Sequence, residues 1–367
     1  MNMIKELLEG VEVEWSNLGK VCDLITTGKL NANAMEDNGI YPFFTCNQKP
    51  YKINNYAFDL EAILVSGNGS QVGHINYYKG KFNAYQRTYI IANFKNCINS
   101  VYLFHYLKYT LKNYIIKNSR QGSVPYITMP ILEKFQIPIP PLNIQSEIVR
   151  ILDNFTELTT ELTTELTVRK KQYSYYRDTL LTFTDGEVEF KSLGEVIKLK
   201  RGKRLVKSQL EESGRYAVYQ NSMTPLGYYH ENNVKSDTTF IISAGAAGKI
   251  GYSKVNFWAA DDVYFFITPD GIKSKFLYYF LLTQENKILS LVRRASIPRL
   301  SKMVLEKLKI PIPPLEKQKR IVTILDKFDT LTNSISEGLP KEIKLRQQQY
   351  EYYRELLLTF PRAENNG

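Results

Sequence analysis

The hexapeptide IPIPPL occurs twice in this chain, at 137–142 and 310–315, and each copy leads through a glutamine-containing turn into an amphipathic helix pattern. NIQSEIVRILDNFTEL (143–158) returns as EKQKRIVTILDKFDTL (316–331) at an offset of 173. RKKQYSYYRDTLLTF (169–183) returns as RQQQYEYYRELLLTF (346–360) at an offset of 177, so four residues separate the two blocks further in the second copy. Weaker matches set the repeat length: WSNLGKV with FKSLGEV, ILVSGNGSQVG with FIISAGAAGKIG, and SVPYITMPILEKF with SIPRLSKMVLEKL. A duplication predicts two modules of like fold related by pseudo-two-fold symmetry. Each is a globular arm of roughly 130–140 residues followed by a helix of roughly 40, an ordinary domain size. The joints are preserved and the arms have diverged, as expected if the joints serve one common partner and the arms two different ligands.

The helix patterns carry apolar residues at 3-4 spacing: Ile148, Ile151, Phe155, Leu158, Leu162 in the first, and Ile321, Ile324, Phe328, Leu331, Ile335 in the second. That spacing is the seam of a coiled coil. Two such seams in one symmetric chain predict antiparallel packing on each other, with one arm at each end. The prolines before each helix suit a rigid extended lead-in, because proline fixes φ and disfavours helix in the residue before it. Gly338-Leu-Pro340 interrupts the second pattern and predicts a local break there. Within the first, Glu157-Leu-Thr-Thr, Glu161-Leu-Thr-Thr and Glu165-Leu-Thr form a tetrapeptide run. One such unit is worth about 6 Å of helix and about 40° of rotation beyond a full turn.

The net charge of +11 is unevenly distributed. Residues 1–142 hold 14 Lys+Arg against 10 Asp+Glu, 143–183 hold 5 against 6, 184–313 hold 20 against 13, and 314–367 hold 9 against 8. The excess sits on the arms, the distribution expected if both hold a polyanion. Cys22, Cys46 and Cys97 form no CxxC pair, which speaks against a disulfide framework or zinc knuckle and for a reducing cytoplasm. No signal peptide or apolar span of about 18 residues is apparent.

Two divergent arms, each followed by IPIPPL, a glutamine and an IVxILD helix, with a tetrapeptide run in the central helix, resemble the DNA-specificity subunits of type I restriction-modification systems. The resemblance spans essentially the whole chain. It implies an α+β fold with two pseudo-symmetric globular α/β target recognition domains, 1–142 and 185–315, separated by a pair of long antiparallel coiled-coil helices, 143–184 and 316–367. It further implies that each arm reads half of a bipartite site in double-stranded DNA, and that the helices set the half-site spacing and dock two methyltransferase subunits. Restriction and translocase subunits would join through that complex, with no membrane involved.

Sequence motifs for catalysis are missing. The PP pairs at 140–141 and 313–314 lack the flanking residues of an (N/D)PP(Y/F) methyltransferase motif. Gly67-Asn-Gly69-Ser-Gln-Val-Gly73 is misspaced for GxGxxG, and Gly248-Lys249 lacks the rest of a P-loop. Turn glycines account for both. Glu189-Phe-Lys191 resembles half of a nuclease ExK motif without a counterpart in the first copy, and reads as a linker strand. His74, His105 and His230 are scattered, with no partner carboxylate evident in sequence. The expectation is a non-catalytic chain without a cofactor of its own; a self-contained DNA methyltransferase or nuclease is the competing reading, and a coiled-coil scaffold without DNA a third.

For DNA, the densest basic stretch is Lys198, Lys200, Arg201, Lys203, Arg204 and Lys207, with Lys198 and Lys200 on one strand face; Lys29 lies in the matching stretch of the first arm. Arg120-Gln121 and Arg293-Arg294, at equivalent positions before the joints, suit base-edge readout, since Arg pairs with guanine and Gln with adenine. Ser66, Asn68 and Ser70 in one glycine loop and Lys249 in the other are candidates for phosphate approach. Tyr173, Tyr175, Tyr176 and their equivalents Tyr350, Tyr352, Tyr353 are candidates for helix packing or the methyltransferase interface.

Overall fold

The computed structural model describes residues 6–118, 126–184 and 186–361. The chain divides into two compact units, one of residues 1–161 with 343–367 and the other of 162–342. The 40-residue helix Leu142–Leu181 gives its first half to one unit and its second half to the other. The second helical pattern forms two helices, Leu315–Asn333 and Gly338–Leu358. Ile335, expected to continue the seam, falls between them and is 85% exposed. The break follows from Gly338, whose positive φ of 73° and close contact with the Thr330 and Leu331 carbonyl oxygens suit only a residue without Cβ.

In the first unit the strands are β1 (Glu14–Asn17), β2 (Cys22–Thr27), β3 (Tyr41–Phe44), β4 (Tyr51–Ile53), β5 (Phe58–Ser66), β6 (Ile75–Ala84), β7 (Thr88–Phe94) and β8 (Gln136–Ile139). A six-stranded sheet runs in the order β2-β7-β5-β6-β3-β4, antiparallel except where β3 meets β6. The stretch Ala62-Ile63-Leu64-Val65 in β5 is buried throughout because both faces of the sheet are covered. Ile63 and Val65 face the arm helix Ser100–Asn118 and its Tyr102, Leu103 and Leu107, whereas Ala62 and Leu64 face a second cluster with Phe44, Phe82 and Ile90.

In the second unit the strands are β9 (Glu189–Ser192), β10 (Lys198–Arg201), β11 (Tyr216–Tyr219), β12 (Gly227–Tyr229), β13 (Thr238–Ile242), β14 (Ile250–Ser253), β15 (Trp258–Ala259), β16 (Val263–Ile267) and β17 (Lys309–Ile312). They form a four-stranded sheet β10-β16-β13-β14 and a three-stranded sheet β12-β11-β15. β13 repeats the logic of β5: Ile241 packs towards Phe276, Leu277 and Leu281 of the second arm's helix, Ser274–Thr283, and Phe240 and Ile242 towards Phe257, Val263 and Phe265.

The joints pair the last strand of each arm with its first. β8 lies antiparallel to β1 with Pro138 opposite Trp15, and β17 lies antiparallel to β9 with Pro311 opposite Phe190. A two-stranded ribbon accommodates these prolines because an edge needs no N–H there. The ExK-like segment is thus strand β9, and Lys191 Nζ sits 3.1 Å from its own neighbour Glu189.

Within each unit the long helices pack antiparallel. Ile148, Ile151 and Leu152 share a core with Leu357 and Leu358, and Phe155 stacks on Tyr353 at 5.2 Å. In the second unit Leu181 and Tyr173 share a core with Ile321 and Leu325, and Tyr176 stacks on Phe328 at 5.3 Å. The seam differs from the expected one. Leu152 and Leu325, unassigned by the 3-4 pattern, are fully buried while Leu158 is 43% exposed, because the arm helix covers the same helix from a second side.

Candidate nucleic-acid interface

Matching hydrogen bonds align the two arms residue by residue despite their divergent side chains. Gly28 N–H donates to Thr88 O, and Gly202 N–H to Val263 O. Gly67 N–H donates to Arg87 O, and Ser243 N–H to Asp262 O. Ile127 N–H donates to Gly67 O, and Leu300 N–H to Ser243 O. Tyr85 N–H donates to Phe44 O, and Ala260 N–H to Tyr219 O. These bonds draw five chain segments together at one end of each arm. Gly28 and Gly202 are required there: an added Cβ would lie 1.9 Å from Ala84 O in the first arm and 2.2 Å from Ala259 O in the second.

In the first arm this end is rich in amides. Asn68 accepts from Cys46 Sγ at 3.0 Å, Gln48 donates to Gln71 at 3.3 Å, and exposed Gln86 and Arg87 form the β6–β7 turn. Thr27, Gly67, Gln86, Arg87, Tyr89 and Tyr126 line a recess of about 310 Å³. In the second arm the same end is rich in arginine. Arg201 Nε donates to Asp261 O at 2.6 Å, and the exposed tip 293–299 is closed by reciprocal backbone bonds between Arg293 and Arg299.

The family of the type I restriction modification DNA specificity domain matches residues 10–169 and again 185–345. The chain belongs to this family. It is 33% identical to the Escherichia coli type I restriction enzyme EcoR124I/EcoR124II specificity subunit, over 99% of this chain and 98% of that one. It is 34% identical to a putative type I restriction enzyme specificity subunit of Haemophilus influenzae, over 97% and 98%. In fold it is similar to the crystal structure of the type I restriction-modification S subunit from M. genitalium, with TM-score 0.68, 20% identity and coverage of 97% and 98%. The chain is thus a type I specificity subunit with two specificity domains, the mixed helix-and-strand modules described above.

Several sequence candidates of this specificity subunit lie on the convergent loop ends: Lys29, Asn68 and Ser70 in the first domain, and Arg201, Lys203, Arg204, Arg293 and Arg294 in the second. Lys198 and Lys200 are exposed on one face of β10, flanking buried Leu199, as the alternation predicts. Arg120 and Gln121 lie outside the described residues. Two candidates are placed elsewhere. Ser66 is 2% exposed with its N–H donated to His74 O, so no phosphate reaches it. Lys249 points to the helix side, where its Nζ is 2.6 Å from Glu285. Arg87, Gln86 and Arg299 were not singled out by sequence, since only the folded turns bring them to this end.

The tyrosines divide similarly. Tyr173 is 9% exposed and Tyr176 and Tyr353 stack on phenylalanines inside their own units, while Tyr350 lies under the Arg354 guanidinium. Tyr175 and Tyr352, equivalent across the repeat, are 66% and 49% exposed.

Two histidines do have carboxylate partners, contrary to the sequence expectation. His105 Nε2 lies 2.8 Å from Asp153, and His230 Nδ1 lies 2.5 Å from Glu211. Chain separations of 48 and 19 residues hide these pairs from motif reading. Burial holds the His105 pKa below the ordinary 6.5, with the Asp153 hydrogen bond opposing it, so the ring is neutral and its Nε2–H donates. Asp326, the equivalent of Asp153, instead accepts from Tyr279 at 2.6 Å and Lys275 at 2.7 Å. The Asp153 and Asp326 contacts fasten arm helix to long helix, whereas the His230–Glu211 pair joins two loops of the second arm. Among the described residues no helix is long and apolar enough to cross a membrane.

Proposed function

We propose that this chain is the non-catalytic DNA-recognition subunit of a cytoplasmic type I restriction-modification complex, each arm reading one half of a bipartite sequence. The observation that carries the reading is the shared hydrogen-bonded loop frame, which presents different polar side chains at the same positions in two arms. A common frame suits a common polymer, and different side chains suit different base sequences. Arms 1–142 and 185–315 are the reading modules. Lys29, Lys198, Lys200, Lys203 and Arg204 supply phosphate contacts, and Asn68, Ser70, Arg201, Arg293 and Arg294 lie where bases or phosphates are met. The helices dock two methyltransferase subunits through exposed residues such as Tyr175 and Tyr352, and restriction subunits join through them. S-adenosylmethionine and ATP chemistry then belong to the partners.

The test is to co-express the chain with the modification subunits of its system and map methylated bases. A two-part motif with an unspecified gap is expected; methylation by the purified chain alone would sink the non-catalytic reading.

A further inference from the structure

The matched hydrogen bonds assign counterparts to the recess of the first arm: Thr27 corresponds to Arg201, Gln86 to Asp261, Arg87 to Asp262, and Tyr126 to Arg299. The last pairing rests on two isolated bridges, Asn68 with Tyr126 and Ala244 with Arg299. Between these positions the backbone framework is kept, including Tyr89 and its counterpart Tyr264. The side-chain chemistry inverts. An amide and a cation on the β6–β7 turn become two carboxylates, and a hydroxyl and a phenol beside it become two guanidinium groups.

Two carboxylates at a polyanion-binding end oppose affinity unless they receive hydrogen bonds from bases. In the major groove the amino group of cytosine is the donor suited to Asp, guanine presents two acceptors suited to Arg, and adenine presents a donor and acceptor suited to Gln. Resting on the DNA-recognition reading above, we infer that these four positions are the specificity-determining set of each arm. The Asp261–Asp262 turn with Arg201 and Arg299 reads G·C pairs in one half-site. The Gln86–Arg87 turn reads purines, adenine through Gln86 and guanine through Arg87, in the other. Arg201 is pre-set for this, because its Nε bond to the Asp261 carbonyl fixes the side chain across the turn and leaves its terminal nitrogens for a ligand.

The experiment exchanges the turns in the complete complex with its methyltransferase subunits: Asp261→Gln with Asp262→Arg in one variant, Gln86→Asp with Arg87→Asp in the other. Methylated motifs are mapped by sequencing, and the purified complexes are also used to select from a DNA pool randomised across both half-sites. Each variant is expected to change base preference at one or two positions of a single half-site, the two variants acting on different halves. The discrimination lost at those positions should be on the order of tenfold to a hundredfold. Both half-sites retained unchanged, in methylation or in selection, would overturn the inference while leaving DNA recognition intact. Equal loss for every sequence would also overturn it, by moving the turns to phosphate contact. A wild-type complex without any two-part motif would instead defeat the underlying reading.

Discussion

Gln145 and Gln318, 173 residues apart, are both fully buried and make the same three hydrogen bonds. Gln145 Nε2 donates to Pro140 O at 2.7 Å and Cys97 O at 2.9 Å, and Oε1 accepts from Asn99 N at 2.7 Å. Gln318 does so with Pro313 O at 2.8 Å, Gly271 O at 2.9 Å and Lys273 N at 2.9 Å. The glutamine of each joint therefore locks the proline strand, the long helix and the start of the arm helix together. A buried amide that satisfies three backbone groups leaves all three orphaned when it is removed.

Gln145→Leu should therefore destabilise the first unit by about 3 kcal/mol, the cost of orphaning buried backbone groups. Hydrogen exchange of the Asn99 amide should accelerate while that of Lys273 stays protected. Unchanged protection at Asn99 would show that water replaces the side chain.

Histidine 105 should make the first unit acid-sensitive. Its folded pKa lies below the ordinary 6.5 because burial disfavours the imidazolium. The unfolded chain then binds a proton that the folded one refuses, so this contribution is present above pH 6.5 and declines as pH falls from there towards the folded pKa. His105→Gln keeps a donor to Asp153 without titrating and should flatten that part of the stability profile, read by thermal melts across pH. An equally steep profile in the variant would assign the sensitivity to other groups.

At the loop ends, Gly202→Ala should disturb the second arm alone, because its Cβ would lie 2.2 Å from two carbonyl oxygens. The expected cost is about 1–3 kcal/mol of overpacking, with DNA discrimination lost in one half-site. Selection from randomised half-sites separates this from a uniform loss.

Charge removal should sort phosphate contacts from the rest. Lys200→Ala with Lys203→Ala should weaken binding to all DNA and shallow the salt dependence by about 2 in log-log slope. Arg299→Ala should cost about 1–3 kcal/mol for the specific site only. Lys249→Ala, whose ammonium is held by Glu285, should alter neither quantity in titrations of the complex.

Tyr175→Ala and Tyr352→Ala, at 66% and 49% exposure, should leave melting unchanged and weaken association with the methyltransferase subunit. Tyr173→Ala, 9% exposed, should instead cost about 3 kcal/mol in stability, as loss of a buried aromatic does. Sedimentation of the assembled complex together with melts of the free chain distinguishes the two effects.

By itself the sequence determined the duplication, the long helix patterns, the break at Gly338 and the basic bias of the arms, because these are local or periodic properties that one strand of text carries; the mixed α and β character of the arms was implied only by the resemblance to a known family. It also marked the glutamine and aspartate of each joint as recurring without disclosing why they recur. Tertiary structure decided that Gln145 and Gln318 are locks, that Asp153 faces His105, that Ser66 is interior and Lys249 is turned towards a helix. It also decided that Leu152 and Leu325, not Ile335, close the helix seams. It brought Gln86, Arg87, Asp261, Asp262 and Arg299 to the loop ends with their counterparts aligned. The physical reason is that a hydrogen bond between residues tens of positions apart exists only once sheet register and helix packing have set the distance, and no spacing along the chain encodes that distance.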